Sequence, residues 1–384
     1  MGLKAGFAAA GVRLVALVVL SAGLLAWQAA PGAAHTRTLE TTNIDSRIVE
    51  SPGLEGVTWK VHTGGLLIEV VHRGDGVLVV EGYEGEPYLR IGPDGVERNR
   101  NSPATYLSEE RFGRIAIPPN ADASAEPDWR PVDDEPRHIW HDHRTHWMSP
   151  EPPPFVSAGP LARGFMALGL VGHLGTAGGQ DTDVTVWEIP LTYDGTPATL
   201  TGELLWREPP AAWPWLLLGA ALTAPGLLGL RRAGQVAPLR AAAVVVFGVA
   251  AINAIHLVDD LVAWPSHPLD DLFGLLHTGL FLTAGLAGSA WAWRVESGRR
   301  LALGIGAGAV LYHQGLVHAP MLLASEFPTV WPESLIRATV GLALAQAVVV
   351  GTVLAVLARR ARSTPTVDQP SSTTSSEASI PASR

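Results

Sequence analysis

The C-terminal half of this 384-residue chain is a series of long apolar runs punctuated by arginine. Each run is near the ~20 residues that cross a bilayer core, and so many in succession cannot all be hidden inside a small water-exposed fold. The pattern predicts five spans, near 213–231, 240–263, 270–293, 301–324 and 335–358. Arg231, Arg232 and Arg240 lie between the first two, Arg294, Arg299 and Arg300 between the third and fourth, and Arg359, Arg360 and Arg362 after the fifth. The other two connections, near 264–269 and 326–334, carry acids, Trp and Pro instead. Basic residues flanking spans favour the cytoplasmic side. All three clusters fall there only if residues 35–212 are outside.

The N-terminal part agrees with that orientation. Lys4 and Arg13, the apolar stretch from Leu14 to Trp27 and the small residues Gly32-Ala33-Ala34 read as a signal peptide over 1–34. An uncleaved anchor helix is the alternative. Residues 35–208 are expected to form an extracytoplasmic all-β sandwich, followed by the α-helical five-span transmembrane bundle at 209–360 and a disordered cytoplasmic tail over 361–384, rich in Ser, Thr and Pro. Alternating segments at Val57 to His62, Leu66 to Val71, Val77 to Tyr83, Tyr88 to Ile91, Phe112 to Ile117, Val184 to Leu191 and Thr199 to Trp206 supply the strands. Tyr193-Asp194-Gly195-Thr196-Pro197 reads as the turn of a final hairpin. There are no cysteines, which excludes disulfides, thiolate metal sites and Cys nucleophiles. The formal charge of −9, with basic residues concentrated at membrane flanks, leaves no nucleic-acid footprint.

Chemistry concentrates in Arg137-His138-Ile139-Trp140-His141-Asp142-His143-Arg144-Thr145-His146-Trp147-Met148. Neutral imidazole is the commonest protein metal ligand, and a thioether adds a preference for soft ions such as Cu(I). If the segment is extended, His141 and His143 share one face, and His138, Asp142, His146 and Met148 the other. Copper is the first candidate and zinc an alternative. Flanking prolines suggest an ordered loop on the sandwich. Cleavage after Ala34 would add His35, whose α-amine and imidazole can hold one Cu(II) together. The plainer reading is a His/Trp-rich loop held by hydrogen bonds and stacking.

Polar groups inside hydrocarbon are costly and usually functional. The second predicted span carries Asn253, His256, Asp259 and Asp260, the third His277, the fourth His313 and His318. At ~1.5 Å per helical residue, the four histidines lie about 18–26 Å from the cytoplasmic ends of their spans. A shared level predicts one polar cavity under the outer domain, with His256, Asp260, His277, His313 and His318 as its members. Three readings compete. They are a metal site, a haem b held by two histidines such as His277 and His313, and plain interhelical hydrogen bonding.

The segment Trp140 to Met148 resembles a signature of membrane proteins of high-GC Gram-positive bacteria (actinobacterial type), a family with little established activity. Gly82 to Ile91 and Asn101 to Thr105 resemble the same family. A looser resemblance is to extracytoplasmic copper-handling proteins, which combine a β-sandwich, a mature N-terminal His and a His-bearing helical membrane domain. Those carry a Met-rich loop, whereas this chain has four Met in all. The resemblances imply an integral plasma-membrane protein that takes copper on its outer domain and passes it to the intramembrane set. The bilayer and envelope metal-handling proteins would be its partners. A membrane redox or metal-dependent enzyme, or a non-catalytic envelope interaction module, are the alternatives.

Overall fold

The computed structural model describes residues 41–109, 111–149, 151–167, 173–232, 234–263, 268–295 and 297–363. The expected signal segment, His35 and the tail beyond 363 lie outside the described residues.

The N-terminal region is antiparallel β, as alternation predicted. The strands are β1 Ile44–Glu50, β2 Val57–Val61, β3 Ile68–His72, β4 Leu78–Glu81, β5 Pro87–Gly92, β6 Gly95–Asn99, β7 Trp129–Asp133, β8 Arg137–Trp140, β9 Thr182–Tyr193 and β10 Thr196–Trp206. They form a seven-stranded sheet in the order β1-β10-β9-β4-β5-β6-β7 and a three-stranded sheet, β2-β3-β8. Both sheets feed one core, in which Ile68, Val70 and Trp140 meet Leu78, Leu89, Ile189, Leu204 and Trp206. The predicted hairpin is present. Tyr193 pairs Thr196 across Asp194 and Gly195, both with positive φ, the geometry a two-residue turn between twisted strands requires. The strand expected at Phe112 to Ile117 is not formed. That stretch is irregular, with the Arg111 and Arg114 guanidiniums over the Phe112 ring.

Helical structure follows: α1 Pro160–Ala167, α2 Trp213–Thr223 with a 3₁₀ continuation Ala224–Arg231, α3 Val236–Ile252, α4 Ile255–Val262, α5 Pro268–Arg294, α6 Arg299–Val310, and α7 Glu333–Arg362. Among the described residues three helices are long and apolar enough to cross a membrane: Trp213–Arg231, Val236–Asp259 and Glu333–Arg362. Five were expected, and the reasons for the difference are local. Helix α5 has 27 residues but is not among the three; His277, Thr278 and Ser289 lower its mean hydropathy. The fourth expected span breaks up. After α6 the chain forms a π-helical turn, Leu311–Val317, and then a 3₁₀ turn, Ala319–Leu322, that contains Pro320.

Small residues let the helices approach. A Cβ on Gly219 would lie 2.3 Å from the Gly341 carbonyl oxygen, and one on Gly341 would lie 2.3 Å from that of Trp215, so α2 and α7 cross glycine on glycine. Gly288 of α5 meets Gly306 of α6 in the same way.

The two ends of the bundle differ. At one end the arginines converge: Arg360 donates to the Leu230 carbonyl (2.9 Å), Arg240 to that of Trp293 (3.3 Å), and Arg300 to Gln235 Oε1 (2.9 Å). At the other end the β region is attached. Thr42 and Glu326 exchange backbone hydrogen bonds, and Ala162 and Leu174 share an apolar cluster with Met321, Ala324, Phe327 and Ile336.

Candidate functional site

The His-rich segment does not run extended beyond Trp140. Strand β8 ends there and the chain turns through 142–145. The lock is Asp142, which is 1% exposed. Its carboxylate accepts from Trp140 Nε1 (3.1 Å), from Arg144 Nε and Nη2 (2.8 Å each) and from the Arg144 backbone N–H (3.1 Å). Burial alone would raise its pKa, but the Arg144 guanidinium outweighs that and holds it below the usual carboxylate range. Arg144 also donates to the Glu81 carbonyl (3.1 Å) and lies over Tyr83. Thr145 Oγ1 donates to the Gly65 carbonyl (2.7 Å). Gly65 has φ +80°, and a Cβ there would collide with the Thr145 carbonyl.

This turn redistributes the expected outer ligands. His138 stacks on Trp140, with ring centroids 5.9 Å apart. His141 Nδ1 bonds the Leu66 carbonyl (2.7 Å). His143 stacks on Tyr83 and meets His146 edge-on at 5.8 Å, although alternation placed those two on opposite faces. Met148 is half-buried beyond Trp147. The four outer histidines therefore do not gather at one point. His146 has its Nδ1 3.2 Å from the Trp147 carbonyl, and its Nε2 is buried with no partner among the described residues. It lines a cavity of about 10 Å³ with Thr42, Arg111, Trp147 and His173. His173 and Arg111 were not singled out from sequence, since no local motif marks them.

Burial, with a nearby arginine in each case, pushes His138 down to about 4 and His146 to about 3. Both bind protons less readily folded than unfolded. Their contribution to stability is therefore intact above about pH 6.5 and is lost as pH falls toward 4. Glu326, at the junction with the helices, runs the other way. Burial, Asp45 and Glu333 raise it to about 7, so its contribution is present below about pH 4.5 and is lost as pH rises to 7. Thermal melting across this range should show Glu326→Gln removing a stability loss between about pH 4.5 and 7, and His146→Gln flattening the acid side. Unchanged pH profiles in both variants would contradict the assignment.

The histidines expected inside the membrane do come together. His256 is on α4, His277 on α5, His313 in the π-helical turn and His318 just after it. Ring centroids stand 4.8 Å apart for His256–His318, 5.0 Å for His318–His313 and 4.8 Å for His313–His277. The rings form a row, closed on one side by Phe281. Hydrogen bonds fix which nitrogens carry protons. His318 Nδ1–H donates to the His313 carbonyl (2.7 Å). Thr339 Oγ1 gives its own proton to the Ile336 carbonyl (2.8 Å), so it accepts from His256 Nε2–H (3.1 Å), leaving Nδ1 unprotonated. His313 Nδ1 accepts from Gln314 Nε2 (2.8 Å), and its Nε2–H reaches Thr278 Oγ1 (3.2 Å). The Asp260 side chain, expected in this set, lies outside the described residues. Its neighbour Asp259 accepts from Thr329 Oγ1 and Val330 N, fastening the loop before α7. Among the described residues, no three His, Cys, Asp or Glu are disposed to hold a metal ion together.

Comparison with protein-family models, curated proteins and solved structures finds no match to this chain.

Proposed function

We propose that this chain is a multi-pass plasma-membrane protein that binds a transition-metal ion, copper in the first instance, between His256 and His318, with His313 and His277 alongside. One observation carries the reading. The His256 and His318 rings stand 4.8 Å apart between centroids, and each has one nitrogen tied to an oxygen acceptor, the arrangement that second-shell partners impose on metal-ligating histidines. Metal–nitrogen bonds of ~2.0–2.1 Å put imidazoles sharing a tetrahedral ion about 5 Å apart between ring centres, close to the spacing here. Imidazole suits copper and zinc alike. A haem b between His277 and His313 is the weaker alternative, because those rings touch and leave no slot for a porphyrin.

In this reading the β region, a β-sandwich, lies outside the cell and the arginine end of the bundle inside, in keeping with the bias of basic residues toward the cytoplasm. The WHDHRTHW segment serves mainly as the lock of the outer domain. His143 and His146 are the outer imidazoles nearest each other, and an envelope metal-handling protein would be the natural donor or acceptor.

Calorimetric titration of the purified full chain with Cu(I) and with Zn(II) tests the site. About one equivalent should bind, and His256→Ala/His318→Ala should abolish it. Thr339→Val, which removes only the orienting hydroxyl, should weaken binding about 10–100-fold. Equal binding by the double variant would end the proposal.

A further inference from the structure

Helix α1 sits where the β region meets the bundle, and part of its apolar surface is left uncovered. Ala162 is buried, and Phe165 and Met166 pack with it against Met321, Ala324, Phe327 and Ile336. Leu161 is 60% exposed, and Arg163 is exposed as well. Successive helical residues are turned by about 100°, so Leu161 and Arg163 stand about 200° apart with Ala162 between them. The stripe that rests on the bundle therefore has an apolar flank on one side and a guanidinium on the other.

The height of α1 along the bundle follows from α7. Its stripe rests on Ile336, and the arginines of the basic end begin at Arg359. Roughly 35 Å of helix separates those two residues at ~1.5 Å per residue. A bilayer core is about 30 Å thick, so with the arginines in one headgroup layer α1 falls in the other. The neighbouring span agrees. Helices α2 and α7 run in the same direction, meeting at Gly219 and Gly341 and again where Arg360 reaches the Leu230 carbonyl. Counted back equally from the glycine crossing, Trp213 and Leu335 share a level, next to Ile336. They are 65% and 39% exposed. An exposed tryptophan at the end of a span suits the headgroup layer.

We infer that α1 is an interfacial helix, lying in the headgroup–acyl boundary of a phospholipid bilayer with Leu161 among the acyl chains and Arg163 toward the phosphates and water. The inference rests on the reading of the chain as a membrane protein and is independent of any bound metal. A helix lying in that plane sinks its apolar side some 5–10 Å, as an order of magnitude, into the boundary. The β region is thereby held against the bilayer at a second point, besides its chain connection to α2.

The chain has no cysteine, so single cysteines can carry a nitroxide without background. Leu161→Cys, Arg163→Cys, Leu217→Cys in α2 and Thr199→Cys in β10 are each labelled in the full chain and reconstituted in vesicles of phosphatidylcholine and phosphatidylglycerol in equal parts. Collision of the label with oxygen is then compared with collision with a water-soluble nickel chelate. Leu217, 61% exposed on a span, is the acyl-chain reference, and Thr199, exposed on its strand, is the water reference. Leu161 should match Leu217, with an oxygen-to-nickel ratio several-fold above that of Thr199, and Arg163 should fall with Thr199. A ratio at Leu161 equal to that at Thr199, with Leu217 still acyl-like, would overturn the inference and leave the membrane reading standing. Little collision with either reagent at Leu161 would mean that protein, such as a second copy, covers it, and would overturn the inference equally. A water-like ratio at Leu217 would remove the membrane reading itself, and the inference with it.

Discussion

Asp142→Ala is expected to destabilise the β region by about 3–5 kcal/mol, the range for breaking one half of a buried ion pair. The change strands the Arg144 guanidinium, which keeps the Glu81 and Gly82 carbonyls and the Tyr83 ring but no anion, and removes the acceptor of Trp140 Nε1. With Arg144 unanchored, the turn through Thr145 has no reason to hold its bond to Gly65, and His143 and His146 lose their positions with it. Denaturant unfolding of the full chain, followed by tryptophan fluorescence, reads the effect directly, since Trp140 and Trp147 flank the turn. Adding Arg144→Met to Asp142→Ala should restore part of the loss, because an apolar pair of similar volume no longer buries a lone charge. A variant as stable as the wild type would mean that the turn is held by something other than this carboxylate.

Gly341→Leu is expected to have the largest effect in the helical part. Its side chain would have to occupy space already taken by the Trp215 carbonyl. That atom is backbone and cannot swing aside, so α2 must move off α7, exposing Gly219 and the face beneath it. Overpacking of this kind typically costs about 1–3 kcal/mol where neighbours can yield, and more where they cannot. Gly304→Ala and Gly308→Ala are the controls. Neither would meet anything within 4 Å, so each should be neutral or gain up to about 1 kcal/mol from helix propensity. Thermal melting in detergent distinguishes the two classes. Equal melting of Gly341→Leu and Gly308→Ala would show that the crossing is looser than its glycines imply.

What could be read from the sequence follows the reach of each signal. Strands such as β2 and β9–β10 were legible because alternation and the Asp194-Gly195 turn are local. β7 was not, because Pro131 weakens a strand signal and the strand sits at a sheet edge. Of the glycines in the Gly304-to-Gly308 run, Gly306 alone meets another helix, which spacing within the run does not reveal. Hydropathy found the helical regions beyond residue 209 but overcounted membrane-length helices. It cannot see that the chain from Leu311 to Leu322 changes its hydrogen-bond period. The outer histidines were misplaced because a single buried carboxylate, Asp142, turns a segment whose composition allows it to run straight. The inner four were anticipated from depth alone. Their orienting hydroxyls, Thr278 and Thr339, were not, since those pairings depend on which helices become neighbours.

Metal analysis of the full chain purified from copper- and zinc-replete cells, without chelator, tests the central claim most directly. The account predicts close to one transition-metal ion per chain in the wild type and almost none after His256→Ala/His318→Ala, with both proteins equally folded. Metal-free wild-type protein that also refuses Cu(I) and Zn(II) on reconstitution would contradict it. The imidazole row would then be a packing feature of the bundle.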